Sequence, residues 1–65
     1  MDKITMKAAR VNKGLTQENV AKIMNVSRNT VYMWEKGKVK PKPAQFQMYC
    51  RICGRDPEKI FYPNN

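Results

Sequence analysis

Three groups of side chains have types and spacings suited to chemistry. The first is Cys50-Arg51-Ile52-Cys53, a C-x-x-C. Two thiols at this spacing can form a redox couple or half of a zinc site. The redox use needs a βαβ setting and a low-pKa thiolate at a helix start, and zinc needs four ligands. The chain has two cysteines, no histidine and no strand pattern. Phe46, Tyr49, Cys50 and Cys53 recur at i, i+3, i+4 and i+7, so the pair reads as part of an apolar helix stripe. The lack of histidine also removes the commonest general base and the Ser-His-Asp and Cys-His arrangements. Neither enzyme activity, cofactor, metal nor small-molecule substrate is expected.

The second group is Arg28-Asn29, followed by Tyr32 and Met33. Arginine can bond guanine O6 and N7 together, and asparagine can bond adenine N6 and N7 together. Tyr32 could stack or reach a phosphate, and Met33 could pack on a thymine methyl. The third group is the run Lys36-Gly37-Lys38-Val39-Lys40-Pro41-Lys42-Pro43. Its four ammonium groups suit a phosphate backbone. They belong to a wider imbalance. The 65 residues carry 13 Lys plus Arg against 5 Asp plus Glu, a net charge of +8. Residues 1–43 hold ten of the basic and three of the acidic side chains, so the excess sits in the first two thirds. A polyanion is the partner such a balance suggests.

The elements that position these groups are helical. A chain of this length allows one small domain, residues 1–65. Thr5 can cap a first helix (about 5–13), with Gly14 as its left-handed stop and Leu15 as the apolar contact beyond it. Thr16 caps a second, 17–24, which ends at Asn25. Ser27 caps a third, 28–36, which ends at Gly37. Pro43 suits the first turn of a fourth, 43–53, followed by Gly54. Asp56-Pro57 predicts a fifth, 57–61. The expected class is all-α with five helices.

Helices two and three are joined by only Asn25-Val26-Ser27, which predicts a helix-turn-helix. Ala21 is small where the two backbones would approach. On a wheel of about 100° per residue, Val31 and Trp34 share one side of helix three. Arg28, Asn29, Tyr32, Met33 and Lys36 lie on the other. That outer face carries no acid, as major-groove reading requires.

These residues resemble the phage repressor/Cro-type helix-turn-helix family, also called the xenobiotic-response-element regulators. The matching positions are Arg10, Gly14-Leu15-Thr16-Gln17, Ala21, Val26-Ser27, Val31, Trp34-Glu35-Lys36-Gly37 and Ile60-Phe61. Asn25 departs from the glycine usual in that family. The resemblance implies a five-helix, lambda-repressor-like domain whose third helix enters the major groove of double-stranded operator DNA. It implies DNA contacts by Gln17 and Ser27 at helix N-termini, base contacts at Arg28, Asn29 and Met33, and an ion pair between Arg10 and Glu35.

Met48 and Ile52 form a second apolar pair on helix four, and Phe61-Tyr62 lie beyond helix five. This excess predicts a homodimer through the C-terminal helices and an inverted-repeat operator. The alternative is an antitoxin-like module that covers this surface with another protein and binds DNA secondarily. A basic membrane-binding helix is disfavoured because Val31 and Trp34 face away from Arg28 and Asn29. No signal-length apolar run is present, so a cytoplasmic protein is expected.

Overall fold

The structure, a computed structural model, describes residues 2–63. It contains four α-helices: α1 (Met6–Lys13), α2 (Gln17–Met24), α3 (Arg28–Glu35) and α4 (Pro43–Ile52). The starts match the sequence closely. Thr5, Thr16 and Ser27 are extended, and each side-chain oxygen accepts from a backbone N–H three residues on. Each bond satisfies a donor that the first helical turn leaves unpaired. Asn19 Oδ1 in turn accepts from the Thr16 N–H at 2.9 Å, which completes a reciprocal cap on α2. At α4 the Gln45 Oε1 accepts from the Lys42 N–H, and Pro43 stands at the first helical position.

The stops share one geometry. Gly14, Asn25, Gly37 and Gly54 all take positive φ, between 59° and 82°. The next N–H then reaches back five residues: Leu15 to Arg10 O, Val26 to Ala21 O, Lys38 to Met33 O, and Arg55 to Cys50 O. Each pairs a carbonyl that a helix end would otherwise leave free. Asn25 at φ 59° does what glycine does elsewhere, because its short polar side chain tolerates the left-handed region. Leu15 and Val26, just after two of these stops, turn inward onto the core.

The core gathers Met6, Ala9, Val20, Ala21, Val31, Trp34, Phe46, Tyr49, Cys50, Cys53 and Ile60. The helix pair α2 and α3 makes the most extensive contact in the fold. Ala21 is buried there, and Val31 and Trp34 are buried on the inner side of α3. This contact fixes how α3 presents its outer face.

Three expectations need correction. The fifth helix is a single 3-10 turn, Pro57–Lys59, so the helix count is four. The chain cannot continue as helix because Ile4 takes its backbone groups. The Ile4 N–H donates to Lys59 O at 3.0 Å, and the Phe61 N–H donates to Ile4 O at 2.8 Å. This isolated parallel bridge, Ile4 with Ile60, ties the two ends of the domain together. The helices α3 and α4 each end one residue early, at Glu35 and Ile52, with Lys36 and Cys53 as caps. The apolar excess near the C-terminus is also smaller than expected. Ile52 packs against the core. Tyr62 lies on Phe46 with ring centroids 4.8 Å apart, and its hydroxyl donates to the Pro41 carbonyl. Met48 and Phe61 remain exposed, and Tyr62 is still 37% exposed despite these contacts.

Candidate nucleic-acid interface

The buried side of α3 sets its exposed side. Val31 is fully buried and Trp34 is 2% exposed. Arg28, Asn29, Tyr32 and Lys36 are exposed on the remaining arc, and Met33 is half-buried at its border. The first turn of α3 therefore offers a guanidinium and an amide side by side, with the phenol of Tyr32 one turn later. The Lys36 ammonium lies 5.9 Å over the Tyr32 ring, which couples the last lysine of the face to its aromatic.

Ser27 is exposed, but its hydroxyl is already engaged. It accepts from the Thr30 N–H at 3.1 Å and pairs with the Thr30 hydroxyl at 2.8 Å. It holds the start of α3; where the Thr30 hydroxyl is the donor of that pair, the Ser27 proton is left for an outside acceptor.

Gln17 opens α2 beside Arg28. Its Oε1 accepts from Arg28 Nη1 at 3.2 Å, and its Nε2 donates to Glu35 Oε1 at 3.1 Å. The sequence did not reveal this link. It also missed Lys7 of α1, which lines one shallow cleft of about 120 Å³ with Gln17, Tyr32, Glu35 and Lys36. No local pattern singles out Lys7, since only the packing of α1 on the rest brings it to this edge.

Behind the corner lies an ion pair that holds α1 to α3. Arg10 Nε and Nη2 donate to Glu35 Oε2 and Oε1 at 2.8 and 3.0 Å, and Arg10 Nη1 donates to Leu15 O at 2.9 Å. The side chains of Arg10 and Glu35 are 9% and 2% exposed. A fork-to-fork geometry with the remaining lone pairs filled is what a buried pair needs to offset its lost hydration. Tyr49 of α4 fills one of them, with its hydroxyl 2.6 Å from Glu35 Oε2. Burial raises the Glu35 carboxyl, but the bonds from Arg10, Tyr49 and Gln17 outweigh it and hold the pKa below its ordinary value. The bond to Glu35 raises Arg10 in turn. Burial, and then the Glu35 contact, push the Tyr49 phenol far up. At neutral pH the carboxylate, guanidinium and neutral phenol coexist.

The lysine run is built differently. Lys36, Lys38, Lys40 and Lys42 are all exposed. Their backbone is fixed: Lys38 and Val39 N–H groups donate to Met33 O, and Pro41 is fully buried. Among the described residues no carboxylate pairs with any of them, the one salt bridge being Arg10–Glu35. The Lys40 ammonium lies 5.0 Å over the Tyr62 ring.

Cys50 and Cys53 are both buried, at the end of α4. Burial pushes both thiols up to about 11, so they stay protonated at neutral pH and act as small apolar groups. Among the described residues no helix is long and apolar enough to cross a membrane.

A family model described as helix-turn-helix matches residues 6–60, most of the chain and all four helices. Neither curated proteins nor solved structures give a significant match.

Proposed function

The chain belongs to the Cro/C1-type helix-turn-helix family of DNA-binding regulators, and we propose that it reads double-stranded operator DNA as a repressor or Cro-like switch. In this reading α3 enters the major groove. Arg28, Asn29, Tyr32 and Met33 contact base edges. Gln17, Ser27, Lys36, Lys38, Lys40 and Lys42 contact phosphates, and Lys7 joins them. The observation that carries the reading is the split of α3. Val31 and Trp34 are buried, while Arg28 and Asn29 stand exposed at its first turn.

Regulation then comes from occupancy, since a bound protein blocks or redirects polymerase. About six phosphates neutralised per subunit would give a slope of log K against log salt near −5. The test is selection from a random duplex library by the wild type, Arg28→Ala and Asn29→Ala. The wild type should enrich one motif, and each variant should lose preference at its own base pair. Enrichment of no motif by the wild type would overturn the proposal.

The exposed side chains of Met48 and Phe61 favour a protein contact near the C-terminus, 43% and 54% exposed respectively. We propose a second copy of this chain as the occupant. A two-fold dimer would set its third helices about 34 Å apart, on half-sites one turn apart, and the motif would be an inverted repeat. Sedimentation at tens of micromolar, with and without the selected duplex, checks this. A species that stays monomeric in both contradicts the dimer. A stable complex with a different protein on co-expression favours the antitoxin-like alternative.

A further inference from the structure

The residues that follow the 3-10 turn reach back to both ends of the lysine run. Ile60 is extended, buried and bridged to Ile4, which fixes where this segment starts. The next three side chains divide. Phe61 and Pro63 line a cleft of about 160 Å³ with Trp34, Lys36 and Gly37, where α3 ends and the run begins. Tyr62, between them, meets the other end. Its ring packs on Phe46 of α4 at 4.8 Å, its hydroxyl donates to the Pro41 carbonyl, and the Lys40 ammonium lies 5.0 Å from its ring centroid.

Each contact of Tyr62 has a physical cause. Pro41 is fully buried, and its carbonyl has no backbone partner among the described residues. The Tyr62 hydroxyl therefore satisfies an acceptor that would be costly to bury unpaired. Lys40 has no backbone hydrogen bond either among the described residues, so this hydroxyl holds the stretch between the Met33 anchor and the start of α4. The same ring then stands beneath the Lys40 ammonium. An ammonium has three N–H groups, and one directed at a ring face leaves two for phosphate oxygens. A ring face sets no single bond direction, so the lysine can still follow the nearest phosphate.

We propose that Tyr62 is a positioning residue for phosphate contact by Lys40. This rests on the reading of the lysine run as a DNA-backbone contact. The hydroxyl fixes the Lys40-Pro41 backbone and the ring holds the ammonium, so the side chain is partly ordered before DNA arrives. Lys38 and Lys42 have no such ring beneath them among the described residues. Affinity at one phosphate thus depends on an uncharged side chain that lies beyond the last helix.

The experiment titrates a duplex of arbitrary sequence across a range of salt, so it does not depend on base reading. Tyr62→Leu keeps an apolar side chain on Phe46 and removes the ring and the hydroxyl. It should weaken binding by about two- to tenfold, the ordering cost of one long side chain, and keep the salt slope. Lys40→Ala should weaken binding and lower the slope by about one. In the Lys40→Ala background, Tyr62→Leu should cost nothing further. Tyr62→Phe removes the hydroxyl alone and should fall between the wild type and Tyr62→Leu. In the DNA-free protein the ε-methylene protons of Lys40 should show an upfield ring-current shift that Tyr62→Leu abolishes. Urea unfolding checks that each variant is folded, and if Tyr62→Leu is not, the same cycle with Tyr62→Phe decides. An equal loss from the Tyr62 variant with and without Lys40 overturns the proposal and leaves Tyr62 as a packing residue. Tighter binding by Tyr62→Leu also overturns it, because the ring would then withhold the ammonium from DNA. If Lys40→Ala changes neither affinity nor slope, the phosphate role of Lys40 fails and the positioning role falls with it.

Discussion

Arg28 and the lysines just beyond α3 are cations on one surface, yet the fold holds them in opposite ways. Arg28 is bonded to Gln17, Gln17 to Glu35, and Glu35 to Arg10. A line of polar contacts thus connects its guanidinium to buried groups on α1 and α4. In the segment from Lys36 to Lys42 it is the backbone that is anchored, through Met33 O and the buried Pro41, while the four lysines are exposed and make no ion pair among the described residues, Lys36 and Lys40 touching only the faces of Tyr32 and Tyr62. A fixed cation can tell one base edge from another, because its bonds need a set direction. A mobile cation can track any phosphate, because the backbone presents the same charge at every step. Under the proposed function, this contrast would give sequence choice to the corner and general affinity to the loop.

The largest expected effect comes from breaking the corner at its root. Arg10→Met leaves the Glu35 carboxylate buried without its fork, and should cost about 3–5 kcal/mol of stability by urea unfolding. In a domain this small that is a large share of the total. The same pair predicts an acid limb. Glu35 has a folded pKa below its unfolded value, so its contribution is fully present above the unfolded value of 4.5 and is lost as pH falls through the lowered folded pKa. Urea midpoints from pH 7 to pH 3 should show this fall. In Glu35→Gln, where no proton binds, the fall should be shallower.

Next comes Arg28→Ala, which should cost about 1–3 kcal/mol of discrimination at one base pair and little stability. A smaller effect, about 1 kcal/mol of stability, is expected for Ser27→Ala, since it removes the cap of α3. The smallest is Lys38→Ala. It should weaken matched and mismatched duplexes by the same factor and reduce the salt slope by about one. If Lys38→Ala altered a base preference, the division between corner and loop would be wrong.

Much of this fold was legible because its punctuation is local. Thr5, Thr16 and Ser27 cap by side-chain bonds within three residues. Gly14, Asn25, Gly37 and Gly54 stop helices through their own backbone angle. Such features need no knowledge of distant parts of the chain. The bridge between Ile4 and Ile60 joins residues at opposite ends, and no local pattern announces it. That is why Asp56-Pro57 correctly marked a helical start yet overstated the length of the turn it begins. The site divides in the same way. The alternation of buried and exposed positions on α3 was readable from period alone. The Arg10–Glu35 pair came only from family resemblance, and the roles of Gln17 and of Tyr49 toward Glu35 came from neither. Tyr49 lies in the apolar stripe of α4, and only the packed structure brings its hydroxyl to the carboxylate.

The most direct test compares Arg28→Ala with Lys38→Ala on one selected duplex and its single-base mismatch, each titrated across a range of salt. The account predicts that Lys38→Ala shifts both binding curves in parallel and flattens the salt dependence. It predicts that Arg28→Ala brings the two curves together, chiefly by weakening the matched duplex. Equal weakening of both duplexes by both variants, with the matched-to-mismatched ratio kept, would contradict it.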